Sequence, residues 1–102
     1  MVDKMKIRIL ERSERGLKME IIGEGHTFCN LLRDFLLKNP DVEFAAYRID
    51  HPLVSNPVFY VRTKSERPEE ALKKAAEDIV TALEDFKKVF SSALNRQRVS
   101  SS

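Results

Sequence analysis

The fold of this chain is decided by residues 25–47, which read GHTFCNLLRDFLLKNPDVEFAAY. The first half of this stretch predicts a helix that ends near Asn39-Pro40, because proline cannot continue a helix and holds the residue before it extended. Thr27 is the predicted N-cap, since its hydroxyl can accept a backbone N–H at the helix start. At about 100° per residue the apolar side chains cover an arc of about 160°, wider than the roughly 100° stripe of a one-sided surface helix. The arc consists of Phe28, Cys29, Leu31, Leu32, Phe35 and Leu36. This helix therefore needs two surfaces to pack against.

The residues that follow the helix predict two strands. In residues 42–50, Val42 and Phe44 share one face, but Tyr47 and Ile49 are out of phase with them. A bulge near Ala45-Ala46 would reconcile the two halves. Residues 58–63 are aromatic and β-branched, which favours a fourth strand that pairs with the third as a hairpin.

The residues before the helix predict a first hairpin. Residues 4–11 alternate charged side chains with Met5, Ile7 and Ile9, the period of a half-buried strand. Residues 17–21 alternate in the same way, and a short polar loop separates the two stretches. We therefore expect two antiparallel strands here.

The last element is predicted to be one long helix. Pro68 is a favoured first-turn residue, and no glycine or further proline follows it up to about Leu94, which gives a helix of about 40 Å. Its apolar residues are spaced alternately by four and three, a heptad seam typical of helices that pack lengthwise on another helix. The seam consists of Leu72, Ala76, Ile79, Leu83, Phe86, Phe90 and Ala93. Beyond it, residues 96–102 are expected to form a polar, disordered tail that carries Arg96 and Arg98.

Composition excludes several classes of protein. The chain has 102 residues and a net charge of +2, which suits one domain over residues 1–95 and lacks the positive field of a typical nucleic-acid binder. Its single cysteine excludes a disulfide-stapled secreted module, and its three glycines form no phosphate-binding loop. Neither His26 nor His51 has a metal ligand at a recognised spacing. We predict no catalytic residue, no metal and no cofactor, no membrane contact, and a cytoplasmic location.

The amount of apolar helix surface points to a partner protein. Burial stabilises by about 25 cal/mol per Å², and a four-stranded sheet can cover only one side of two helices. Two other interpretations stay open: a homodimer that uses the same helices, and a small RNA-binding module that stacks bases on Phe59 and Tyr60.

Three motifs carry a resemblance. They are HT-x-x-NLLR at residues 26–33, NP-x-V-x-FA-x-Y at residues 39–47, and HPL at residues 51–53. Together they resemble the α-motif of the small α-like subunits of cellular RNA polymerases, a family related more distantly to the N-terminal dimerisation domain of the bacterial α subunit. The resemblance covers about residues 4–95.

The resemblance implies an α+β domain of strand-strand-helix-strand-strand-helix order, with a four-stranded antiparallel sheet and two helices on one face. It also implies a heterodimer with a larger α-like RNA polymerase subunit, as in archaea, on which the large catalytic subunits assemble, with no direct contact to nucleic acid. The partner interface is predicted to contain Phe28, Leu31, Leu32, Phe35, Leu36, Leu72, Ile79, Leu83, Phe86 and Phe90. The polar residues of the motif are His26, Thr27, Asn30 and Arg33.

Overall fold

The element order of the chain is the one that the sequence predicts. The computed structural model describes residues 5–51, 53 and 55–101, with side chains up to residue 96. Two strands, a helix, two further strands and a long helix follow one another. They are β1 (Lys6–Arg12), β2 (Gly16–Ile22), α1 (His26–Leu37), β3 (Val42–Arg48), β4 (Val58–Thr63) and α2 (Pro68–Ser101).

The four strands form one antiparallel sheet in the order β1-β2-β4-β3, which confirms both predicted hairpins. Buried residues alternate along the two central strands, and cross-strand partners such as Met19 and Phe59 face the same side. The buried side chains of these strands are Leu17, Met19, Ile21, Phe59, Val61 and Thr63. Both helices pack on this face, so the core lies between the sheet and the helices.

The bulge of β3 lies earlier than the sequence predicts. The register shifts between Val42 and Phe44 rather than at Ala45-Ala46. The extra residue there lets Val42 and Ala45 both face the core, and it turns Phe44 to the opposite face, where the side chain is 51% exposed. The prediction that Val42 and Phe44 share a face was therefore wrong.

Strand β1 is an edge strand that is exposed along its whole length, so the prediction of a half-buried strand was also wrong. Ile7 and Ile9 pair with Ile21 and Met19, which places them on the face that carries the helices. They remain 47% and 46% exposed because the helices pack over β2, β3 and β4 instead.

Helix α1 begins two residues earlier than predicted, and Thr27 is not its N-cap. The cap is Gly25, which has extended backbone and provides no side chain to accept a hydrogen bond. Its carbonyl accepts the Cys29 N–H at 3.2 Å, which closes the first turn. Thr27 is therefore an exposed residue inside that turn.

Helix α2 is longer than predicted. Its 34 residues span about 51 Å, and the backbone stays helical to Ser101. The prediction of a disordered tail was therefore wrong for residues 96–101. No glycine or proline interrupts residues 95–101, and Arg and Gln are good helix formers. The radius of gyration is 17.0 Å, against about 13 Å for a compact domain of this length, because α2 extends past the sheet.

Candidate partner interface

Helix α1 divides its apolar arc between the core and the surface. Cys29, Leu32 and Leu36 are buried against β3 and α2, while Phe28 and Phe35 are half-buried and Leu31 is exposed. Leu32 and Leu36 were predicted to lie at the partner interface. We correct that prediction, because the chain's own core already surrounds both side chains.

The first three turns of α2 hold the helix on the sheet. Ala71 and Ala75 are buried, and Leu72 and Ile79 are half-buried against the same core. After Ile79 every described side chain of the helix is exposed, up to residue 96. The second half of α2 therefore extends beyond the domain that anchors it.

One apolar stripe runs along α2 from the anchored half into the exposed half. At about 100° per residue its members lie within about 80° of one another on the helix surface. This α2 stripe consists of Ile79, Leu83, Phe86, Phe90 and Leu94. Leu83, Phe86 and Phe90 are 59%, 64% and 52% exposed, and the two phenyl rings stack with centroids 5.7 Å apart. Burying one side chain of this size stabilises a complex by about 1.5–3 kcal/mol. A partner surface that covers the exposed stripe would therefore be stabilised by several kcal/mol.

Three of the four polar motif residues meet around Tyr47 on strand β3. The Nδ1 atom of His26 is hydrogen bonded to the Tyr47 hydroxyl at 3.0 Å, and the rings meet edge to face. The Arg33 guanidinium lies over the Tyr47 ring at 5.6 Å and donates to Asn30 Oδ1 at 2.7 Å. The fourth residue, Thr27, lies exposed in the first turn of α1. The cluster ties the start of α1 to β3, and Tyr47 was absent from the predicted site.

Asp41 is a second residue that the predicted site lacked. Its carboxylate accepts the Ser65 hydroxyl at 2.6 Å and the backbone N–H groups of Ser65 and Glu66. The Ser65 hydroxyl and the Glu66 N–H are the main causes that hold the pKa of this carboxyl below its usual value. Asn39 joins the same network by donating to Glu66 Oε2 at 2.9 Å. The Asn-Pro-Asp turn thus fixes the loop from which α2 starts, and its turn chemistry was the signal that could have identified Asp41.

The remaining candidates have structural surroundings. Cys29 is fully buried, and burial, with a smaller effect of Glu24, raises the pKa of its thiol to about 11. The carbonyl of His51 accepts the Ser55 N–H at 2.7 Å, and Leu53 points into solvent. Pro52, the middle residue of the HPL motif, lies outside the described residues.

The family of the chain follows from a comparison with known protein families. The model of the RNA polymerase Rpb3/Rpb11 dimerisation domain matches residues 16–89, which hold both central strands, α1 and the first two-thirds of α2. The chain belongs to this family.

Three sequence relatives of this Rpb3/Rpb11-type domain are archaeal proteins. DNA-directed RNA polymerase subunit Rpo11 of Methanosarcina barkeri is 37% identical over 91 residues, which covers 89% of this chain and 99% of the relative. The Rpo11 subunit of Methanocella arvoryzae is 44% identical over 87 residues, with 84% and 94% covered. The Rpo11 subunit of Pyrococcus furiosus is 46% identical over 78 residues, with 74% and 82% covered.

A solved structure has the same fold. The crystal structure of DNA-directed RNA polymerase subunit L from Thermoplasma acidophilum superposes with a TM-score of 0.80 at 30% identity, covering 90% of this chain and 91% of that one. The predicted resemblance is therefore confirmed. The chain is an Rpb3/Rpb11-type subunit of DNA-directed RNA polymerase with archaeal homologues.

The RNA-binding interpretation loses one of its two aromatic side chains. Phe59 is fully buried in the core beneath the helices, where it stacks on Tyr47, and a buried ring cannot stack on a base. Of these two residues, only Tyr60 lies on the other face of the sheet. Among the described residues we find no cluster of three or more metal-ligating side chains, and no helix there has an apolar stretch long enough to span a bilayer.

Proposed function

We propose that this chain forms a heterodimer with the larger α-like subunit of RNA polymerase. The heterodimer serves as the platform on which the large catalytic subunits assemble. The chain contributes no catalytic residue of its own, and it works in the cytoplasm as part of the enzyme.

The observation that carries this proposal is the α2 stripe. A helix that leaves its own domain with Leu83, Phe86 and Phe90 in water gains its stabilisation from a second chain. Membership in a dimerisation-domain family supports the same interpretation.

The proposed interface combines the stripe with the uncovered part of α1. Leu31 is exposed there and Phe28 and Phe35 are half-buried, while the two helices pack against each other. Leu72 and Ile79 continue the surface toward the sheet. Leu32 and Leu36 are left out because they support the core.

Substitution of Leu83 tests the proposal. Co-expressed wild-type chain and larger α-like subunit should elute from size-exclusion as a one-to-one complex by light scattering. We expect Leu83→Glu to abolish the complex, because an unpaired carboxylate in an apolar interface costs at least about 2 kcal/mol, or about thirtyfold in affinity. Thr81→Glu is the matched control, since Thr81 lies on the opposite side of α2 and is already exposed.

Two results would contradict the heterodimer. One is a Leu83→Glu complex that forms as well as the Thr81→Glu complex. The other is a homodimer of this chain that persists when the larger subunit is present, which would mean that a second copy covers the stripe. Leu32→Glu is unsuitable for this test because it would unfold the core.

A further inference from the structure

The sheet has a second surface, on the side away from the helices, that the proposed heterodimer leaves uncovered. Phe44 pairs with Arg62 across β3 and β4, and Tyr60 pairs with Lys18 across β4 and β2. These four side chains line a shallow groove of about 350 Å³, which we name the open-face groove. Gly16 lies opposite Arg62 on β2.

Phe44 is exposed at the groove because of the bulge in β3. A regular strand would place Phe44 on the same face as Val42, in the core. The register shift between these residues instead turns the phenyl ring into the groove, where half of it meets solvent. Bulges are often found where a strand redirects one side chain toward a functional surface.

Arg62 has no carboxylate partner among the described residues, unlike the other arginines of the strands. Arg8 pairs with Glu20 at 2.8 Å, Arg12 with Glu69 at 3.5 Å, and Arg48 with Asp50 at 3.1 Å. A guanidinium binds a carboxylate with two parallel hydrogen bonds, so Arg62 presents an unused anion site beside an exposed phenyl ring.

The geometry points to an acidic polypeptide segment of a neighbouring polymerase subunit as the occupant of the open-face groove. A carboxylate of that segment pairs with Arg62 while an adjacent apolar side chain packs on Phe44. Lys18, whose Nζ lies 5.5 Å from the Tyr60 ring centroid, is ion-paired with Glu11 at 3.7 Å, so Arg62 provides the charge for this contact. Nucleic acid fits less well, because the chain has a net charge of only +2. This proposal rests on membership in the polymerase and not on which chain covers the α2 stripe.

Photo-crosslinking in the reconstituted polymerase tests the proposal. The crosslinker p-benzoylphenylalanine is placed at position 44, and a second variant carries it at position 86 in the α2 stripe. We expect position 44 to crosslink to a segment with an excess of Asp and Glu in another subunit, which peptide mass spectrometry identifies. Position 86 should crosslink to the larger α-like subunit. If position 86 gives its expected crosslink and position 44 does not, only the proposal for the groove is overturned. If position 44 gives its expected crosslink and position 86 does not, only the proposed heterodimer is overturned.

Charge reversal gives the second part of that experiment. Arg62→Glu, combined with the crosslinker at 44, should lower the crosslink yield at least about tenfold. The introduced carboxylate repels the carboxylate of the bound segment, which Arg62 would hold with two hydrogen bonds. Arg62→Lys should give an intermediate yield, and Lys73→Glu on the exposed side of α2 should change nothing. A crosslink from position 44 to nucleic acid, or to a neutral or basic segment, would overturn the proposal. A crosslink yield that Arg62→Glu leaves unchanged would also overturn it.

A measurement on the unmodified enzyme covers the case in which the position 44 variant fails to assemble. Phenylglyoxal labels accessible arginines, and we expect labelling of Arg62 to slow at least about tenfold between the free chain and the assembled polymerase. Arg67, an exposed arginine in the loop before α2, serves as the reference. An unchanged rate at Arg62 would overturn the proposal.

Discussion

Asp41 joins two loops that are far apart in the sequence. It lies in the turn between α1 and β3, and its hydrogen bonds reach Ser65 and Glu66 in the loop between β4 and α2. The backbone carbonyl of Asp41 also accepts the Lys64 N–H at 2.9 Å. One short polar side chain therefore sets the position from which the 34-residue helix starts.

Substitution of Asp41 should lower stability in a way that depends on pH. The hydrogen bonds hold the pKa of the folded carboxyl below its usual value, so their contribution is complete above the unfolded pKa of about 3.9 and is lost as pH falls through the folded pKa. Asp41→Ala should lower the urea midpoint at pH 7, and Asp41→Asn should lower it less. With either substitution, the urea midpoint should fall less steeply as the pH decreases below about 4.

Urea unfolding of the free chain followed by circular dichroism between about pH 2 and pH 7 measures this effect. Asp85→Asn is the control, since Asp85 lies exposed on the second half of α2. Part of the acid sensitivity should remain, because Asn56 and Arg8 hold the pKa of Glu20 low in the same direction. An unchanged pH profile in Asp41→Asn would contradict the assigned role.

The two helices illustrate that apolar spacing does not by itself separate core from interface. Leu36 on α1 and Leu83 on α2 both belong to predicted apolar faces, yet one is fully buried and the other is 59% exposed. The difference between them is whether the sheet extends beneath that part of the helix. Helix α1 is short and stays over β3, whereas the second half of α2 has passed the end of the strands.

Alanine substitutions at these two positions should therefore have opposite effects. Leu36→Ala should lower the free energy of unfolding of the free chain by about 2–5 kcal/mol, because it leaves a cavity in the core. Leu83→Ala should change it by less than about 0.5 kcal/mol, but it should weaken binding to the larger α-like subunit by at least about tenfold. Denaturant unfolding and titration calorimetry measure the two quantities. Equal destabilisation of the free chain by both substitutions would mean that Leu83 packs within its own domain.

At the scale of the whole molecule, the chain has two surfaces of different chemistry. The α2 stripe is apolar, while the open-face groove combines Arg62 and Lys18 with Phe44. Salt distinguishes the two kinds of contact, since it screens exposed charge and leaves apolar burial intact.

Raising NaCl from about 0.1 M to about 1 M shortens the Debye length from about 10 Å to about 3 Å. The heterodimer with the larger α-like subunit should keep its dissociation constant within about threefold over this range, because its interface is apolar. Crosslinking from position 44 should fall in the same series. Fluorescence titration follows the first quantity and gel densitometry the second. Dissociation of the heterodimer by salt would show that charge, and not the stripe, holds it together.

The sequence alone determined the six elements, their order, both hairpins and the excess of apolar helix, because these depend on local periodicity and on breakers such as Pro40 and Gly16. Tertiary structure decided which apolar residues are left for a partner. Leu32 and Leu83 both lie on an apolar helix face in the sequence. Leu32 is buried and Leu83 is exposed, because the sheet lies beneath α1 and ends before the second half of α2. The same holds for Phe44, whose direction depends on a one-residue register shift against β4, and for Asp41, whose partners are 24 and 25 residues away. Contacts between distant segments are set by how whole elements pack, and no local pattern records them.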